Sequence, residues 1–139
     1  MRQELISGWG RCPQIKADLY DIRSLSEISK ILSYQQQLTP RGMGRSYGDS
    51  SLGAKVLMTT SMNRLVAFEE RSGILECEAG VSLEELIRIF VPKGWFLPVS
   101  PGTRFVTVGG MLASDVHGKN HHKSGSFSKY VLRDRKSVV

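Results

Sequence analysis

The sequence predicts an α+β fold in two layers, and three observations carry that expectation. Two capping boxes, Ser24-Leu25-Ser26-Glu27 and Ser82-Leu83-Glu84-Glu85, each open a stretch whose apolar residues recur at helical spacing. Short apolar runs between them have the length and residue types of strands. Their order, strand–helix–strand and then hairpin–helix, lacks the regular alternation of a doubly wound sheet.

The elements follow in chain order. Met1 to Pro13 reads as an opening segment in which Trp9, between Gly8 and Gly10, packs down. Ile15 to Ile22 alternates in part and reads as the first strand. Ser24 caps a helix with Leu25, Ile28, Ile31 and Leu32 on one face, and Glu27 is placed to return a bond to the cap. That helix is expected to run to about Gln36. Gln37 to Thr39 then leads into a glycine-rich loop as a short strand. Lys55 to Thr59 is the next strand, and Leu65 to Glu69 pairs with Ile74 to Ala79 across Glu70-Arg71-Ser72-Gly73. The second helix presents Leu83, Leu86, Ile87, Ile89 and Phe90, and Pro92 and Gly94 end it. Trp95 to Pro98 is a short extended piece. From Ser100 to Ser128 the composition turns to Gly, Ser, Thr, His and Asn.

The 139 residues amount to about one domain, and 40% apolar with 23% charged residues suits a packed core rather than disorder. The formal charge of +6 favours an anionic partner, without selecting among nucleic acid, a phosphorylated cofactor and an acidic membrane surface. Part of it lies near the end of the chain, in Lys129, Arg133, Arg135 and Lys136. Cys12 and Cys77 are too few and too far apart for a disulfide framework, and are expected as reduced packing residues of a cytoplasmic protein. The N-terminus has no apolar core of a secretory signal, and no apolar run nears the length of a membrane span. Nucleic-acid binding would interleave basic side chains with exposed aromatics. Phe68, Phe90, Trp95 and Phe96 lie instead in apolar runs and are expected in the core, so no nucleic-acid partner is expected.

Two polar segments carry the chemistry. The first is Pro40-Arg41-Gly42-Met43-Gly44-Arg45-Ser46-Tyr47-Gly48-Asp49-Ser50. Its glycines free backbone N–H groups to converge on an anion, and its arginines supply planar charged forks suited to phosphate. It reads as a phosphate cradle or, alternatively, as a mobile surface turn. Gly42-x-Gly44-x-x-x-Gly48 is one residue too long for a dinucleotide fingerprint, and no Gly-Lys-Ser/Thr closes a Walker loop. The second segment runs from Pro101 to His122. Gly109-Gly110 would permit close backbone approach to a ligand, and Thr103 and Thr107 supply hydroxyls. Two such segments in one small domain point to a shared ligand site. His117 and His121 stand four apart, but Gly118 opposes a helix there and Lys119 and Lys123 repel a cation, so no metal is expected. His117 is the best candidate for a functional histidine. Asp49 and Asp115 read as functional acids or as local turn caps.

Together the segments resemble the FAD-binding domain of the vanillyl-alcohol oxidase/PCMH flavoprotein superfamily, and most closely its decaprenylphosphoryl-ribose oxidase branch. The residues that carry the resemblance are RGMGRSYGDSS at 41–51, EAGVSLEEL at 78–86, PGTRFVTVGGMLASDVHGKNHH at 101–122 and GSF at 125–127, with SGWGR at 7–11 as the opening.

The resemblance implies a PCMH-type fold of two small α+β subdomains with FAD between them. It implies that Arg41, Gly42, Met43, Gly44, Arg45, Ser46, Tyr47 and Gly48 hold the pyrophosphate. Gly102, Thr103, Thr107, Val108, Gly109 and Gly110 would line the dinucleotide, and Ser114, Asp115 and His117 would approach the cofactor. His117 and Lys119 are the nearest candidates for a catalytic role. Many members attach FAD through a histidine in a G-x-G-H-S pattern; here Arg45 follows Gly44, so non-covalent FAD is expected. The implied activity is oxidation of a secondary alcohol of a sugar, in the form of a ribosyl lipid phosphate, by hydride transfer to flavin. An alditol or aldonolactone oxidase and a non-catalytic FAD-binding remnant are the alternatives. The family continues beyond Val131 with further strands and a substrate domain. On that comparison residues 1–139 are a partial FAD-binding domain with an incomplete second subdomain and no substrate domain, from a fragment or a truncated product, with a partner chain as another source of the missing part.

Overall fold

A computed structural model describes residues 1–135 and places six strands and four α-helices in the order β1 (Arg2–Ser7), β2 (Gln14–Asp21), α1 (Leu25–Leu32), β3 (Thr39–Arg41), β4 (Lys55–Met58), β5 (Leu65–Glu69), β6 (Ile74–Cys77), α2 (Leu83–Phe90), α3 (Val108–Ala113) and α4 (His121–Ser124). Lys136, counted above in the basic terminal cluster, lies outside the described residues, as do Ser137 to Val139. The fold is α+β, as the sequence predicts.

The first sheet has the order β1-β2-β4-β3. β2, β4 and β3 run parallel, and β1 is antiparallel to β2. Its two faces bury different sets of side chains, because alternate strand residues point to opposite sides. Ile6, Ala17, Leu19 and Val56 pack on one face, with Ile15, Leu52 and Met58 against them. Tyr20, Ile22, Leu57 and Ile31 of α1 pack on the other. Full burial of side chains such as Leu19, Ile22 and Val56 stabilises by ~1.5–3 kcal/mol each.

The second half builds its own core. The β5–β6 hairpin packs Phe68 and Leu75 against Val81, Leu86 and Phe90 of the α2 region. Leu83, Val99, Met111 and Phe127 form the adjoining cluster. Phe68 lies tilted against Phe90 with ring centroids 4.6 Å apart, a favourable aromatic geometry. The core clusters of residues 6–62 and 68–131 share no member, which is the division into two small subdomains. Gly80 N donates to Met62 O at 2.8 Å where the halves join, and a Cβ at Gly80 would meet Met62 O at 2.6 Å.

Several expectations are corrected. The opening segment is a strand: Arg2 pairs with Glu4 and Asp21, and β1 registers residue by residue on β2. Trp9 does not pack down but is 52% exposed. Helix α1 stops at Leu32, not Gln36, because Tyr34 N and Gln35 N both donate to Ile31 O and close the end. Ser24 caps it through Glu27 N, but the Glu27 carboxylate accepts from Arg23 N rather than from the cap. The strand before the glycine loop begins at Thr39 and takes in Pro40 and Arg41. Phe96 is 59% exposed and is no part of the core. Cys12 is exposed rather than packed; it and Cys77 are free thiols. The stretch from 101 to 128 is partly helical, with α3 and α4 inside it. The second capping box is complete as predicted: Ser82 Oγ accepts from Glu85 N, and the Glu85 carboxylate accepts from Ser82 N. Pro92 and Gly94, the latter at φ 82°, end that helix in a 3-10 turn.

Candidate functional site

The glycine loop is the crossover between parallel strands β3 and β4, so it lies at the carboxyl end of β3, where ligands of parallel sheets bind. Its backbone is used unevenly. Arg41 O accepts from Thr59 N at 3.0 Å, and Ser46 O accepts from Trp9 N at 2.9 Å. Among the described residues, no N–H of residues 42–48 donates to the protein. Carbonyls therefore anchor the loop while a run of N–H donors stays uncommitted, the arrangement an anion nest needs. Gly44 is buried and has φ 65°, a region that glycine enters without the penalty of a Cβ.

The two arginines are placed differently. Arg41 turns inward: Nη2 donates to Ser7 O at 2.7 Å and Nη1 to Ser51 Oγ at 3.1 Å. Burial, and then the neighbouring Arg45 charge, pull its pKa below the ordinary value. Arg45 is exposed and lies 5.5 Å over the Trp9 ring. The turn at 8–9 lies tight on the loop, since a Cβ at Gly8 would meet Gly48 O at 2.7 Å and Ser46 O at 2.8 Å. Ser46 Oγ donates to Ser51 Oγ at 3.0 Å. Tyr47 is 86% exposed, and Gly48 faces open space. A groove of about 280 Å³ beside the loop is lined by Arg41, Gly42 and Met43 together with Ile6, Leu19 and Met58.

The second polar segment meets the first at one point: a Cβ at Gly42 would run into Thr107 Oγ1. Thr107 is only 2% exposed and caps α3, accepting from Gly110 N at 3.1 Å. Here the donors are committed. Val108 N donates to Val81 O, Gly109 N to Ala79 O and Met111 N to Thr107 O, each at 2.8 Å. The close approach at Gly109 is to protein, as a Cβ there would stand 2.9 Å from Ala79 Cβ. Gly102 is exposed and open, and the Thr103 hydroxyl accepts from Phe105 N at 3.2 Å.

Beyond α3 the chain makes a closed excursion that carries the histidines. Ser114 ends the helix. Asp115, at φ 39°, accepts from Ser128 N at 2.9 Å, and Val116 O accepts from Phe127 N at 2.8 Å. His117 bridges Ser126. The bond from Ser128 N, with the Ser126 and Ser128 hydroxyls, holds the Asp115 carboxyl below its usual range. His117 and His121 stand edge to face with ring centroids 5.0 Å apart, and His117 and Lys119 are both exposed. Among the described residues, no group of three or more His, Cys, Asp or Glu could hold a metal ion.

Thus Gly42 of the first segment and Thr107 of the second are brought together, while Asp115, His117 and Lys119 belong to a separate stapled loop. Ser7, Gly8 and Ser51 lie within the SGWGR and RGMGRSYGDSS stretches, but that they shape the loop, through bonds to Arg41 and the close approach at Gly8, is not readable from the sequence.

The FAD binding domain family matches this chain over residues 19–135. A decaprenylphosphoryl-beta-D-ribose oxidase of Mycolicibacterium smegmatis is 36% identical over 91% of this chain and 29% of its own length. A D-lactate dehydrogenase of Anaerostipes hadrus is 26% identical over 86% of this chain and 26% of its own length. Among solved structures, an alkyldihydroxyacetonephosphate synthase superposes with a TM-score of 0.68 at 21% identity, covering 82% of this chain and 24% of that one, a likeness of fold. The chain therefore spans less than a third of the length of these relatives.

Proposed function

The chain belongs to the FAD binding domain family, with a PCMH-type α+β fold and FAD as cofactor, and we propose that residues 1–139 form the cofactor-holding unit of an oxidoreductase acting on a secondary alcohol of a sugar. The observation that carries this reading is the uncommitted N–H run at 42–48, anchored by carbonyls and held against Thr107 at Gly42. The residues present fit the cofactor. A diphosphate offers acceptor oxygens to such a run, and Gly48, which faces open space, keeps a side chain out of its way.

In this proposal Gly42 to Gly48 hold the pyrophosphate, with Arg45 at the edge of the site as a second cationic group. Thr107 fixes the loop against α3, and Gly102, Thr103 and the 107–110 turn line the dinucleotide. Ser114, Asp115 and His117 approach the cofactor from the stapled loop, and His117 and Lys119 are the nearest candidates for a catalytic role. Bound FAD supplies the two-electron acceptor for alcohol oxidation, and the protein supplies orientation and electrostatics. Arg45 stands where a covalent attachment would need a nucleophilic side chain, so the flavin is held without a covalent bond.

The similarity to the mycobacterial oxidase supports a ribosyl lipid phosphate as the substrate of a polypeptide of the relatives' full length. A partner chain carrying a substrate domain is the alternative arrangement. A cytoplasmic location is proposed from the two free thiols, Cys12 and Cys77. Among the described residues, no helix is long and apolar enough to cross a membrane.

Titration of the purified chain with FAD tests the reading. Saturable quenching of flavin fluorescence is expected, followed by complete release of flavin into the filtrate after heat denaturation. Absence of binding overturns the FAD site, and flavin retained on denatured protein overturns non-covalent attachment. For the full-length enzyme, anaerobic bleaching of the flavin band by a ribosyl lipid phosphate is expected. Bleaching by D-lactate or a free alditol in its place would move the substrate class.

A further inference from the structure

Arg41 is built into the floor of the glycine loop rather than displayed on it. Its donors go to Ser7 O, Ser51 Oγ and, at 3.3 Å, Ser51 O. All three acceptors are neutral. Among the described residues the ion pairs of arginines are Arg2 with Glu4 and Asp21, Arg64 with Glu78 and Arg104 with Glu84; Arg41 has no carboxylate partner. A half-buried cation with no counter-ion is normally costly, because its desolvation is not offset by an opposite charge. Gly44 lies so close that a Cβ there would run into the guanidinium, so cation and loop backbone are in direct contact. On that same loop lie the N–H groups of 42–48 that no protein acceptor takes. Partial burial weakens the screening of the Arg41 charge by water. A positive charge so placed, under donors of the same sign of dipole, has an anion as its natural counterpart.

We propose that Arg41 is a positioning residue that acts on the pyrophosphate of FAD through the loop, both as the strut that fixes the loop's shape and as the uncompensated charge that sets its preference for a diphosphate. The proposal rests on the placement of FAD at this loop. It differs from a contact role for Arg41, and it explains why an arginine with three neutral acceptors stands at the end of β3. The fork geometry serves the protein, joining Ser7 of β1 to Ser51 across the loop, and the charge serves the ligand.

The test compares the affinity of the purified chain for ADP, which carries the diphosphate of FAD, with its affinity for adenosine, which does not. Melting of the ligand-free protein reports the strut separately. Arg41→Gln is expected to weaken ADP about tenfold, ~1.4 kcal/mol, and to leave adenosine unchanged. Arg41→Lys keeps the charge and loses the fork. It is expected to melt lower than wild type and to retain most of the ADP preference. ADP binding unchanged in Arg41→Gln overturns the proposal, as does a folded Arg41→Lys that loses the preference entirely. If Arg41→Gln does not fold, the Arg41→Lys ratio alone decides on the same terms. Wild-type protein that binds neither FAD nor ADP would overturn the FAD site itself, whereas wild-type binding with an indifferent Arg41→Gln overturns only the role of Arg41.

Discussion

Residues 41–50 and residues 101–122 are both polar, glycine-containing and close to one another, yet they use their backbones in opposite ways. In the first, carbonyls of Arg41 and Ser46 are taken by Thr59 and Trp9, and the N–H groups of 42–48 are left uncommitted. In the second, the N–H groups of Val108, Gly109, Gly110 and Met111 are all taken, by Val81, Ala79 and both oxygens of Thr107. A glycine pair before a helix looks in sequence like a place for a ligand. Here Gly109 is a place for Ala79. The difference between the two segments is therefore the fate of their donors: those of the packed turn are paired within the protein, and those of the partly exposed glycine loop are left for solvent or, in the proposed function, for an anion.

Substitutions that respect or violate this difference sharpen it. Gly44→Ala has the largest expected effect. It combines a left-handed φ of 65° with a Cβ directed into the Arg41 guanidinium, and should cost ~2–4 kcal/mol from backbone strain and overpacking together. Gly110→Ala places its Cβ 3.1 Å from Thr107 Oγ1 at a helical φ and should be far milder. Flavin titration and melting of the two variants compare the segments directly; equal losses would erase the distinction. Next comes Gly42→Ala, which overpacks against Thr107 and should cost ~1–3 kcal/mol. Thr107→Ala in the same chain removes the atoms it would strike, so the double variant should lose less than the sum of the singles. Strict additivity would mean that the segments do not touch.

Thr107→Ala alone removes the cap of α3 and should lower stability by ~1 kcal/mol. FAD affinity should follow only as far as the loop loses its support. The smallest effect concerns pH at the stapled loop. Ser128 N and the Ser126 hydroxyl depress the Asp115 carboxyl, so its contribution is complete at neutral pH. It is lost as pH falls below the ordinary aspartate range of about 3.9. Asp115→Asn should remove that part of the acid sensitivity in a melting series against pH, and an unchanged acid limb would exclude Asp115 as its source.

How much of this was legible depends on how local each feature is. The strand at 14–21, the hairpin and both helix starts follow from patterns within a few residues, and the Ser82 box formed as its spacing required. Strand β1 was hidden because Arg2, Gln3 and Glu4 look like a polar tail. Their pairing is with residues 17–19 of β2, and only Ile6 is buried. The early end of α1 was hidden because Tyr34, Gln35 and Gln36 carry no stop signal; bonds back to Ile31 O supply one. Helix α3 was masked by two glycines, which weaken helix propensity, and is held by the Thr107 cap and by Val81 and Ala79. The site was legible as two segments. The inward turn of Arg41 and the consumption of the 108–111 donors depend on partners up to 34 positions away in sequence, as Ser7 is from Arg41.

In the proposed function the anion is bound by the donors of 42–48 and not by those of 108–111. Amide chemical-shift mapping of the labelled chain during titration with ADP reads it directly. Saturable shifts and slowed hydrogen exchange are expected on the amides of Gly42 to Gly48, with those of Val108 to Met111 little changed. Large shifts at Val108 to Met111 with Gly42 to Gly48 unmoved would contradict it.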